Sequence, residues 1–385
     1  MMLTARDAES LILNLVNPLT APHDAELVNL WDAVGRVLAV PVVSQLDFPH
    51  WDNSAMDGYA VRYADVEGAS ATTPVTLTIV EEIPAGYPPQ QTIAAGQAAR
   101  IFTGAVMPPG ADTVVMQEQT QRQGDRVTIH TTPKPAAFIR RQGVYYHAGE
   151  TLLPVGQALG AAEIAILAAA QCGQVRVLRR PRVALLSTGD ELVGLDQPLQ
   201  PGQIVDSNRY ALLALVLQAG CDPVPMGIVP DQPQALKAAI AQAISAADVV
   251  ISSGGVSVGD YDYVDRILAE LGATIHVRSV AVKPGKPLTV ATLAGWDEAQ
   301  KKVRHSLHPG PVPADLTKAP LPPAFFPRPP ASLYFGLPGN PVSALVTFWR
   351  FVQPALRKLS GAMPPWQPRY VQAIDRQTLQ SDGFR

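Results

Sequence analysis

Four short segments that combine glycine with polar side chains each follow a predicted strand in the second half of the chain. They read Ser-Thr-Gly-Asp-Glu at 187–191, Ser-Ser-Gly-Gly-Val-Ser-Val-Gly-Asp at 252–260, Lys-Pro-Gly-Lys-Pro at 283–287 and Pro-Gly-Asn-Pro-Val-Ser at 338–343. Glycine lets backbone N–H groups approach an oxyanion, and the N-terminus of a following helix adds a favourable dipole. The pattern indicates a site for a phosphorylated, anionic ligand.

Side chains in these segments supply both signs of charge that a phosphate–metal site needs. Lys283 and Lys286 can neutralise an anion, and the hydroxyl groups of Ser257 and Ser343 can donate hydrogen bonds. Carboxylate oxygens suit a hard cation such as Mg²⁺, which also bridges phosphates. The acids at or near these strand ends are Asp190, Glu191, Asp206, Asp260 and Asp262.

Each segment alone also has a plain structural explanation. The glycine pair at 254–255 fits an ordinary turn, and Lys283 fits a solvated surface lysine. Asp190 and Glu191 fit a helix cap. Four such strand ends in one sheet favour the binding site. The chain has no GxxxxGK[ST] P-loop, and no GxGxxG follows the first strand of this sheet, which disfavours a dinucleotide dehydrogenase.

Strands alternate with helices from residue 183 onward, which predicts a mostly parallel, doubly wound sheet. Right-handed crossovers bring the carboxyl ends of its strands to one edge, where such sheets bind ligands. Strands are predicted at 183–186, 224–229, 248–252, 274–282 and 333–337, and helices at 209–219, 232–246, 261–271 and 342–359. Nine prolines between Pro309 and Pro330 predict an extended insertion beside the sheet.

The first half of the chain reads differently. Apolar spacing predicts helices at 4–16, 24–34 and 149–170, and short alternating runs punctuated by glycine predict strands at 75–80, 98–102, 113–118 and 126–130. Because helices flank the strands on both sides, we expect a small β domain inserted into a helical one.

Two polar loops lie in this half. The segment 52–60 (DNSAMDGYA) contains two acids, an amide and a hydroxyl group. It fits equally a tight loop built on Asx turns and a loop that presents polar groups to a ligand. For the loop at 103–112, an ordinary turn is the favoured interpretation.

Composition excludes several classes of protein. The net charge is −3 and no basic stripe is present, which disfavours a nucleic-acid binder. Cys172 and Cys221 form no CxxC pair, and the seven histidines show no HExxH spacing. Residues 1–17 lack the pattern of a signal peptide, and no run of apolar residues is long enough to span a membrane. We therefore expect a soluble, cytoplasmic protein.

Six motifs, in order along the chain, resemble those of the molybdopterin molybdenumtransferases, the MoeA and gephyrin E-domain family. They are DNSAMDGYA at 52–60, TGAVMPPGADTVVMQE at 103–118, STGDEL at 187–192, SSGGVSVGD at 252–260, KPGKP at 283–287 and LPGNPVSA at 337–344.

The resemblance implies an activity and a fold. Members insert molybdenum from molybdate into adenylylated molybdopterin and release AMP with the help of Mg²⁺, and a MogA-type adenylyltransferase acts upstream. The implied fold is multidomain α/β plus all-β: a three-layer α/β/α molybdopterin-binding domain with a mostly parallel sheet, an elongated helical N-terminal domain and an inserted small β domain. Members form homodimers in which the DNSAMDGYA loop of one subunit faces the α/β domain of the other.

The resemblance also implies domain bounds and residue roles. The N-terminal domain would comprise 1–46 and 141–174, and the inserted β domain would comprise 47–140. The α/β domain would comprise 175–361, with an insertion at 295–332. Residues 362–385 would be a remnant of a C-terminal β domain. Catalytic roles fall on Asp57, Thr103, Glu191, Asp231, Asp262, Lys283 and Lys286, of which Glu191 and Asp262 would bind metal. Binding roles fall on Thr188, Gly189, Asp190, Asp206, Asn208, Gly254, Gly255, Ser257, Gly259, Pro338, Gly339, Asn340 and Ser343.

Three features depart from the family pattern. Tyr145 occupies the position of a functional aspartate, and a neutral phenol cannot replace a carboxylate at pH 7. Only the first expected strands of the C-terminal β domain are represented, and the proline-rich segment is an insertion. These departures keep a second hypothesis open, a non-catalytic molybdopterin-binding or scaffold paralogue. A third hypothesis, a MogA-type adenylyltransferase, is disfavoured because such a protein would lack the 52–60 loop and the β domain.

Overall fold

The computed structural model describes residues 2–254, 262–294 and 331–369. The chain folds into two compact units. The first unit contains Met1–Val40, Val155–Ile164 and Gly173–Arg385, and the second contains Pro41–Pro154 and Ala165–Cys172. The four-domain division expected from the resemblance stays a prediction.

The regular elements are numbered in chain order. The strands are β1 (Ala25–Asn29), β2 (Val37–Leu38), β3 (Val42–Val43), β4 (Asn53–Ser54), β5 (Gly58–Val61), β6 (Val75–Ile83), β7 (Gln97–Ile101), β8 (Thr113–Met116), β9 (Thr120–Gln123), β10 (Arg126–Ile129), β11 (Ile139–Arg140), β12 (Thr151–Leu153), β13 (Gln174–Leu178), β14 (Arg182–Thr188), β15 (Leu192–Val193), β16 (Ile204–Val205), β17 (Asp222–Val229), β18 (Val249–Ser253), β19 (Ala273–Ser279), β20 (Pro287–Ala294) and β21 (Ala331–Leu337). The α-helices are α1 (Ala5–Leu15), α2 (Tyr63–Val66), α3 (Ala161–Ala169), α4 (Ser207–Gln218), α5 (Pro233–Ala246), α6 (Asp262–Glu270), α7 (Pro341–Thr347) and α8 (Gln353–Leu359). A π-helical turn, Phe348–Val352, joins α7 to α8.

The main sheet of the first unit has the strand order β17-β14-β18-β21-β20-β19. Strands β17, β14, β18 and β21 are parallel, and β20 runs antiparallel to both of its neighbours. The prediction of a mostly parallel sheet is confirmed. Strand β20 was missed, because the glycine and prolines at 283–287 look like the end of one strand, whereas they form the turn between two.

Two apolar cores lie on opposite faces of this sheet. Leu185 and Phe335 belong to the core that contains residues of α1, α4 and α8, whereas Leu186 and Tyr334 belong to the core that contains α5 and α6. Neighbouring residues of a strand alternate between the faces because the side-chain period of a strand is two. Helices therefore cover both faces, as the three-layer α/β/α prediction requires.

The N-terminal part of the first unit confirms one predicted helix and contradicts another. Helix α1 begins after Thr4, whose hydroxyl accepts a hydrogen bond from the Asp7 backbone N–H at 3.2 Å. The predicted helix at 24–34 is wrong, because β1 and a short 3-10 turn occupy it. Strand β1 pairs antiparallel with β13. Because that partner is distant in sequence, the residues of β1 alone do not predict the pairing.

The second unit is built around a sheet with the order β8-β5-β7-β6-β10-β9. The four strands predicted in this part of the chain are confirmed with small changes of bounds. The prediction of a helix at 149–170 is only half correct. Its first part contains β12, which pairs with β3, and only α3 in its second part is helical. Residues 370–385 and most of the insertion at 295–332 lie outside the described residues. None of the helices in the described ranges is long and apolar enough to cross a bilayer.

A buried ion cluster joins separate segments of the first unit. The Arg179 guanidinium donates to both carboxylate oxygens of Asp248 at 2.8 and 2.9 Å, and to Asp24 at 3.0 Å. Asp248 also accepts the Arg182 backbone N–H at 2.7 Å, so that it fixes the first residue of β14. The side chains of Arg179 and Asp248 are 5% and 1% exposed. A buried charge is tolerated only when it is paired, and removal of one partner leaves the other charge unpaired.

We expect Asp248→Asn to lower the free energy of unfolding by about 3 kcal/mol, because it leaves the Arg179 charge buried beside a neutral amide. Urea denaturation followed by circular dichroism measures the change. The matched control is Glu270→Gln, which removes the carboxylate of the exposed Lys237–Glu270 pair and should leave the unfolding midpoint unchanged. Equal midpoints for the two variants would show that the buried cluster does not stabilise the sheet.

Candidate functional site

The ends of β14 and β18 meet at the carboxyl edge of the main sheet. Ser187 lies opposite Ser253 in the parallel register, so Thr188 and Gly254 come next to each other at the edge. Gly254 has φ +95°, and a methyl group there would overlap the carbonyl oxygen of Thr188. Glycine is therefore required at 254 both for its backbone conformation and for the close approach of the two strand ends.

Asn208 connects two of the predicted segments to the start of α4. Its amide Nδ2 donates to the Ser253 hydroxyl and to the Gly339 carbonyl oxygen, each at 2.8 Å. These bonds join the start of α4 to the end of β18 and to the turn after β21. The structure thus brings together residues of the 187–191, 252–260 and 338–343 segments, although their roles in binding stay predictions.

Asparagine and aspartate side chains cap the helices that begin at this edge. Asp206 Oδ1 accepts the Arg209 backbone N–H at 3.2 Å and caps α4. Asn340 Oδ1 accepts the Ser343 backbone N–H at 3.1 Å and lies 3.4 Å from the Ser343 hydroxyl, which donates to it. Pro338, which precedes this cap, is buried. Such caps satisfy backbone donors that the first helical turn leaves unpaired.

Two oxygen atoms at the same edge are buried and have no hydrogen-bond partner among the described residues. They are Thr188 Oγ1 and Asp206 Oδ2, in residues that are only 3% and 2% exposed. The nearest ionic partner of Asp206 Oδ2 is Arg209 Nε at 3.6 Å, beyond hydrogen-bond distance. An unsatisfied buried oxygen costs free energy. A ligand that donates hydrogen bonds would remove that cost, which supports a binding site here.

The predicted acidic residues of the edge are only partly described. Asp190 Oδ1 accepts the Asp231 backbone N–H at 3.1 Å. The Glu191 carboxylate packs against Gly189, since a methyl group on that glycine would lie 2.7 Å from Glu191 Oε2. Asp262 begins α6, but its side chain lies outside the described residues, as do Gly255, Ser257, Gly259 and Asp260.

These acids provide the oxygen donors that Mg²⁺ prefers. Within the described ranges, no three His, Cys, Asp or Glu side chains are grouped closely enough to hold a metal ion by themselves. Magnesium sites usually combine one or two carboxylates with substrate phosphates, so the Asp190–Glu191 segment fits such a site in donor chemistry.

Two lysines lie on the turn between β19 and β20. Lys283 and Lys286 are exposed, and neither forms an ion pair with a carboxylate of the described residues. Gly285 between them has φ +112°, and a methyl group there would lie 2.7 Å from Thr347 Cγ2 in α7. The turn is thus packed closely on α7 while its two positive charges stay available to an anion.

In the second unit, Asp57 is held by Thr103. Asp57 Oδ1 accepts the Thr103 backbone N–H at 2.7 Å and the Thr103 hydroxyl at 2.8 Å. The backbone bond first, then the hydroxyl bond and the charge of Arg100, hold the pKa of Asp57 below the usual value for aspartate. Asp57 is therefore a carboxylate at neutral pH. The roles assigned to Asp57 and Thr103 stay predictions, but the structure places the two side chains in contact.

The 52–60 segment forms the tight loop that one interpretation of its sequence predicted, and the presentation of its polar groups to a ligand stays a prediction. Ser54 Oγ accepts the Met56 backbone N–H at 3.3 Å and donates to the Met56 carbonyl oxygen at 2.6 Å, which is a tight local turn. Gly58 follows in β5, where a methyl group would overlap the Val115 carbonyl oxygen. The turn presents Asp57 half-exposed, so a tight loop and an accessible carboxylate coexist.

Arg100 was missed by the sequence analysis. It lies opposite Tyr59 in the β5–β7 ladder, donates to the Gly58 carbonyl oxygen at 3.0 Å, and stacks over the Phe102 ring at 4.7 Å. Its charge contributes to the lowered pKa of Asp57. An arginine in an alternating strand carries no local signal of this role, because the contact depends on the pairing of two strands.

Comparison with known proteins assigns both halves of the chain. Residues 3–171 match the family model described as MoeA N-terminal region (domain I and II). Residues 184–358 match the model described as probable molybdopterin binding domain, which contains the main sheet and its carboxyl edge. The α/β domain is therefore of the molybdopterin-binding class.

Relatives extend the match to the whole chain. A molybdopterin molybdenumtransferase from Nostoc sp. is 59% identical over 384 residues, which cover 100% of this chain and 80% of that protein. The enzyme of that name from Haemophilus influenzae is 36% identical, with 98% of this chain and 83% of that one covered. A crystal structure of the molybdopterin biosynthesis MoeA protein from Pyrococcus horikoshii is 28% identical with a TM-score of 0.72, covering 94% and 80% of the two chains. The chain belongs to the molybdopterin molybdenumtransferase family.

We expect Thr103→Val to raise the pKa of Asp57 without restoring it fully. The substitution removes the hydroxyl donor, whereas the backbone N–H, which contributes most to the lowered pKa, remains. Carbon-13 NMR of the Asp57 carboxyl group, followed as pH is lowered, measures the change. Thr120→Val, which removes a hydroxyl that donates only to the Gln117 carbonyl oxygen, is the control. An unchanged Asp57 titration in Thr103→Val would exclude the hydroxyl as a determinant.

Proposed function

We propose that this protein inserts molybdenum from molybdate into adenylylated molybdopterin and releases AMP. The observation that carries the proposal is the carboxyl edge of the main sheet, on a domain of the molybdopterin-binding class. Within the described residues, two features meet at this edge. Its lysines form no ion pair, and two of its buried oxygens lack a hydrogen-bond donor. Membership of the molybdopterin molybdenumtransferase family supports the same reaction.

Charge neutralisation is the chief requirement of this chemistry. Cleavage of the bond between the pterin phosphate and AMP develops negative charge on phosphoryl oxygens, and molybdate is itself a tetrahedral dianion. Lys283 and Lys286 provide the two positive charges, and Ser343 with the backbone N–H groups of the glycine turns provides hydrogen-bond donors. Preorganised donors of this kind stabilise the transition state because they need no reorientation during the reaction.

Magnesium would be held by Glu191 and Asp262. It would supply Lewis-acid polarisation of the phosphoryl oxygens when bound. The hydrogen-bonded Asp190 and Asp231 pair would support the position of Glu191. We assign Asp57 and Thr103 to orienting water or substrate. The Asp57 side chain would act as an ionised carboxylate at neutral pH, since its pKa lies below the usual value.

The assembly and the cellular context of the reaction follow from the same proposal. We assign the protein to the cytoplasm as a homodimer, with Asp57 of one subunit serving the α/β domain of the other. A MogA-type adenylyltransferase would supply the adenylylated pterin. These assignments rest on the family resemblance.

A second candidate function is a non-catalytic molybdopterin-binding protein of the same family. The observation that favours it is Tyr145, a neutral and largely exposed phenol at the position of a family carboxylate. The two candidates differ in one product. Purified protein incubated with adenylylated molybdopterin, Mg²⁺ and molybdate should release AMP if it is an insertase, and should retain the intact nucleotide if it only binds.

We expect Asp57→Ala to abolish molybdate-dependent AMP release while the thermal unfolding midpoint stays near that of the wild type. Asp57 is half-exposed and its loss leaves the Thr103 donors to water, so the fold should tolerate it. Release of AMP is measured chromatographically.

The matched control is Glu81→Ala in the same unit. The Glu81 carboxylate also accepts two hydrogen bonds, from the backbone N–H groups of Gln90 at 2.7 Å and Gln91 at 3.1 Å, but has no role in the proposed site. Glu81→Ala should keep full turnover. Full turnover in Asp57→Ala as well would refute the role assigned to that carboxylate.

A further inference from the structure

The glycine turns that follow β18 and β21 lie against each other at the middle of the carboxyl edge. We call them the β18 turn, which begins at Gly254, and the β21 turn, residues 338–340. The two strands pair in parallel as far as Ser253 and Leu337, and the Gly254 N–H then donates to the Leu337 carbonyl oxygen at 3.4 Å. A methyl group on Gly339 would contact Gly254 Cα at 3.6 Å. The relative position of the two turns therefore sets the shape of the surface that they present.

The side chain of Asn208 holds these two turns together. An asparagine amide nitrogen carries two hydrogens and can donate two hydrogen bonds. Asn208 Nδ2 donates one to Ser253 Oγ, directly before the β18 turn, and one to the carbonyl oxygen of Gly339 in the β21 turn, each at 2.8 Å. Both donors are thus used within the protein, and none is left for a ligand.

The backbone of Asn208 is itself firmly placed. It lies in the first turn of α4, which is capped by Asp206, whose carboxylate accepts the Arg209 N–H at 3.2 Å. Further along the helix, Leu212 and Val216 are buried in the core on this face of the sheet. The amide therefore reaches the two turns from a fixed base.

The residues that Asn208 joins differ in their access to a ligand. Ser253 is 2% exposed, so its hydroxyl cannot touch a ligand bound at the surface. Gly339 is exposed and Gly254 is half-exposed, so the backbone of each turn is accessible. A change of the Ser253 side chain can therefore reach a ligand only through the position of the β18 turn.

We propose that Asn208 is a positioning residue, which acts on the ligand through the two turns that it joins and not by contact with the ligand. The proposal rests on the proposed function, in which N–H groups of the glycine turns donate to the phosphorylated pterin. A binding surface that is already held in one arrangement loses less conformational entropy when a ligand binds. Loss of the amide should therefore loosen the turns and lower the affinity.

The test is a double-mutant cycle on the affinity of the full chain for molybdopterin, titrated under anaerobic conditions and followed by protein fluorescence. Asn208→Ala should weaken binding about tenfold, the size of a lost buried hydrogen bond. Ser253→Ala, which removes one of the two acceptors, should weaken it about threefold. Independent effects would multiply to about thirtyfold, whereas a shared effect should leave the double variant at about tenfold.

Substrate kinetics separate positioning from a loss of stability. In molybdate-dependent AMP release, Asn208→Ala should raise KM for adenylylated molybdopterin more than it lowers kcat, because the turns already bind the substrate in its ground state. A variant that is only less stable would contain less active enzyme, which lowers the apparent kcat and leaves KM unchanged. The matched control is Thr292→Val, which removes a hydroxyl bonded to His276 Nε2 at 2.8 Å in the same sheet and should leave the affinity and KM unchanged.

Four outcomes would overturn the proposal. They are no molybdopterin binding by the wild type, wild-type affinity and KM in Asn208→Ala, wild-type affinity in Ser253→Ala beside a loss in Asn208→Ala, or a double variant weakened by the full product of the single effects. The last two would indicate direct contact between Asn208 and the ligand. Failure of the proposed function is a separate result, because the wild type would then bind molybdopterin but release no AMP with molybdate, and the affinity cycle would still decide the role of Asn208.

Discussion

The buried guanidinium of Arg179 sets the geometry on which the carboxyl edge depends. It binds Asp248, which in turn holds the backbone of Arg182, so the amino ends of β14 and β18 are fixed against each other. These two strands pair without a register shift from Val183–Val249 to Ser187–Ser253. At the far end of β14, that register brings Thr188 beside Gly254, where only a glycine fits.

Local hydrogen bonding surrounds the charged groups that are proposed to act in both units. In the first unit, caps and strand pairing satisfy the backbone around the edge and leave the ammonium groups of Lys283 and Lys286 outside any ion pair with the described acids. In the second unit, Thr103 donates twice to Asp57 and lowers the pKa of that carboxyl group. In the proposed reaction, a carboxylate held in this way would need little rearrangement, which is the condition for electrostatic stabilisation of a transition state.

Tyr145 stands where the family pattern has a carboxylate, and a neutral phenol does not replace that acid. Asp47 and Asp52 lie next to it, but structural donors engage both oxygens of each. These bonds fasten the turn that contains Tyr145 to the segment that leads into β4. The proposed metal ligands are Glu191 and Asp262 of the other unit.

Sequence by itself determined the elements whose signals are local. Alternating strands and helices, glycine turns and the six motifs predicted the main sheet, its ligand-binding edge and the family, and the comparisons confirmed the family. Local patterns failed where a distant partner decides the conformation: the segment of β1 is a strand because β13 pairs with it, and β20 exists because it lies between β19 and β21. Tertiary structure alone joined Asn208 to Ser253 and Gly339, and placed Arg100 beside the Asp57 loop. These contacts depend on strand register and helix packing, which arise from burial of apolar surface over the whole unit. The residues next to each site in the sequence therefore do not predict them.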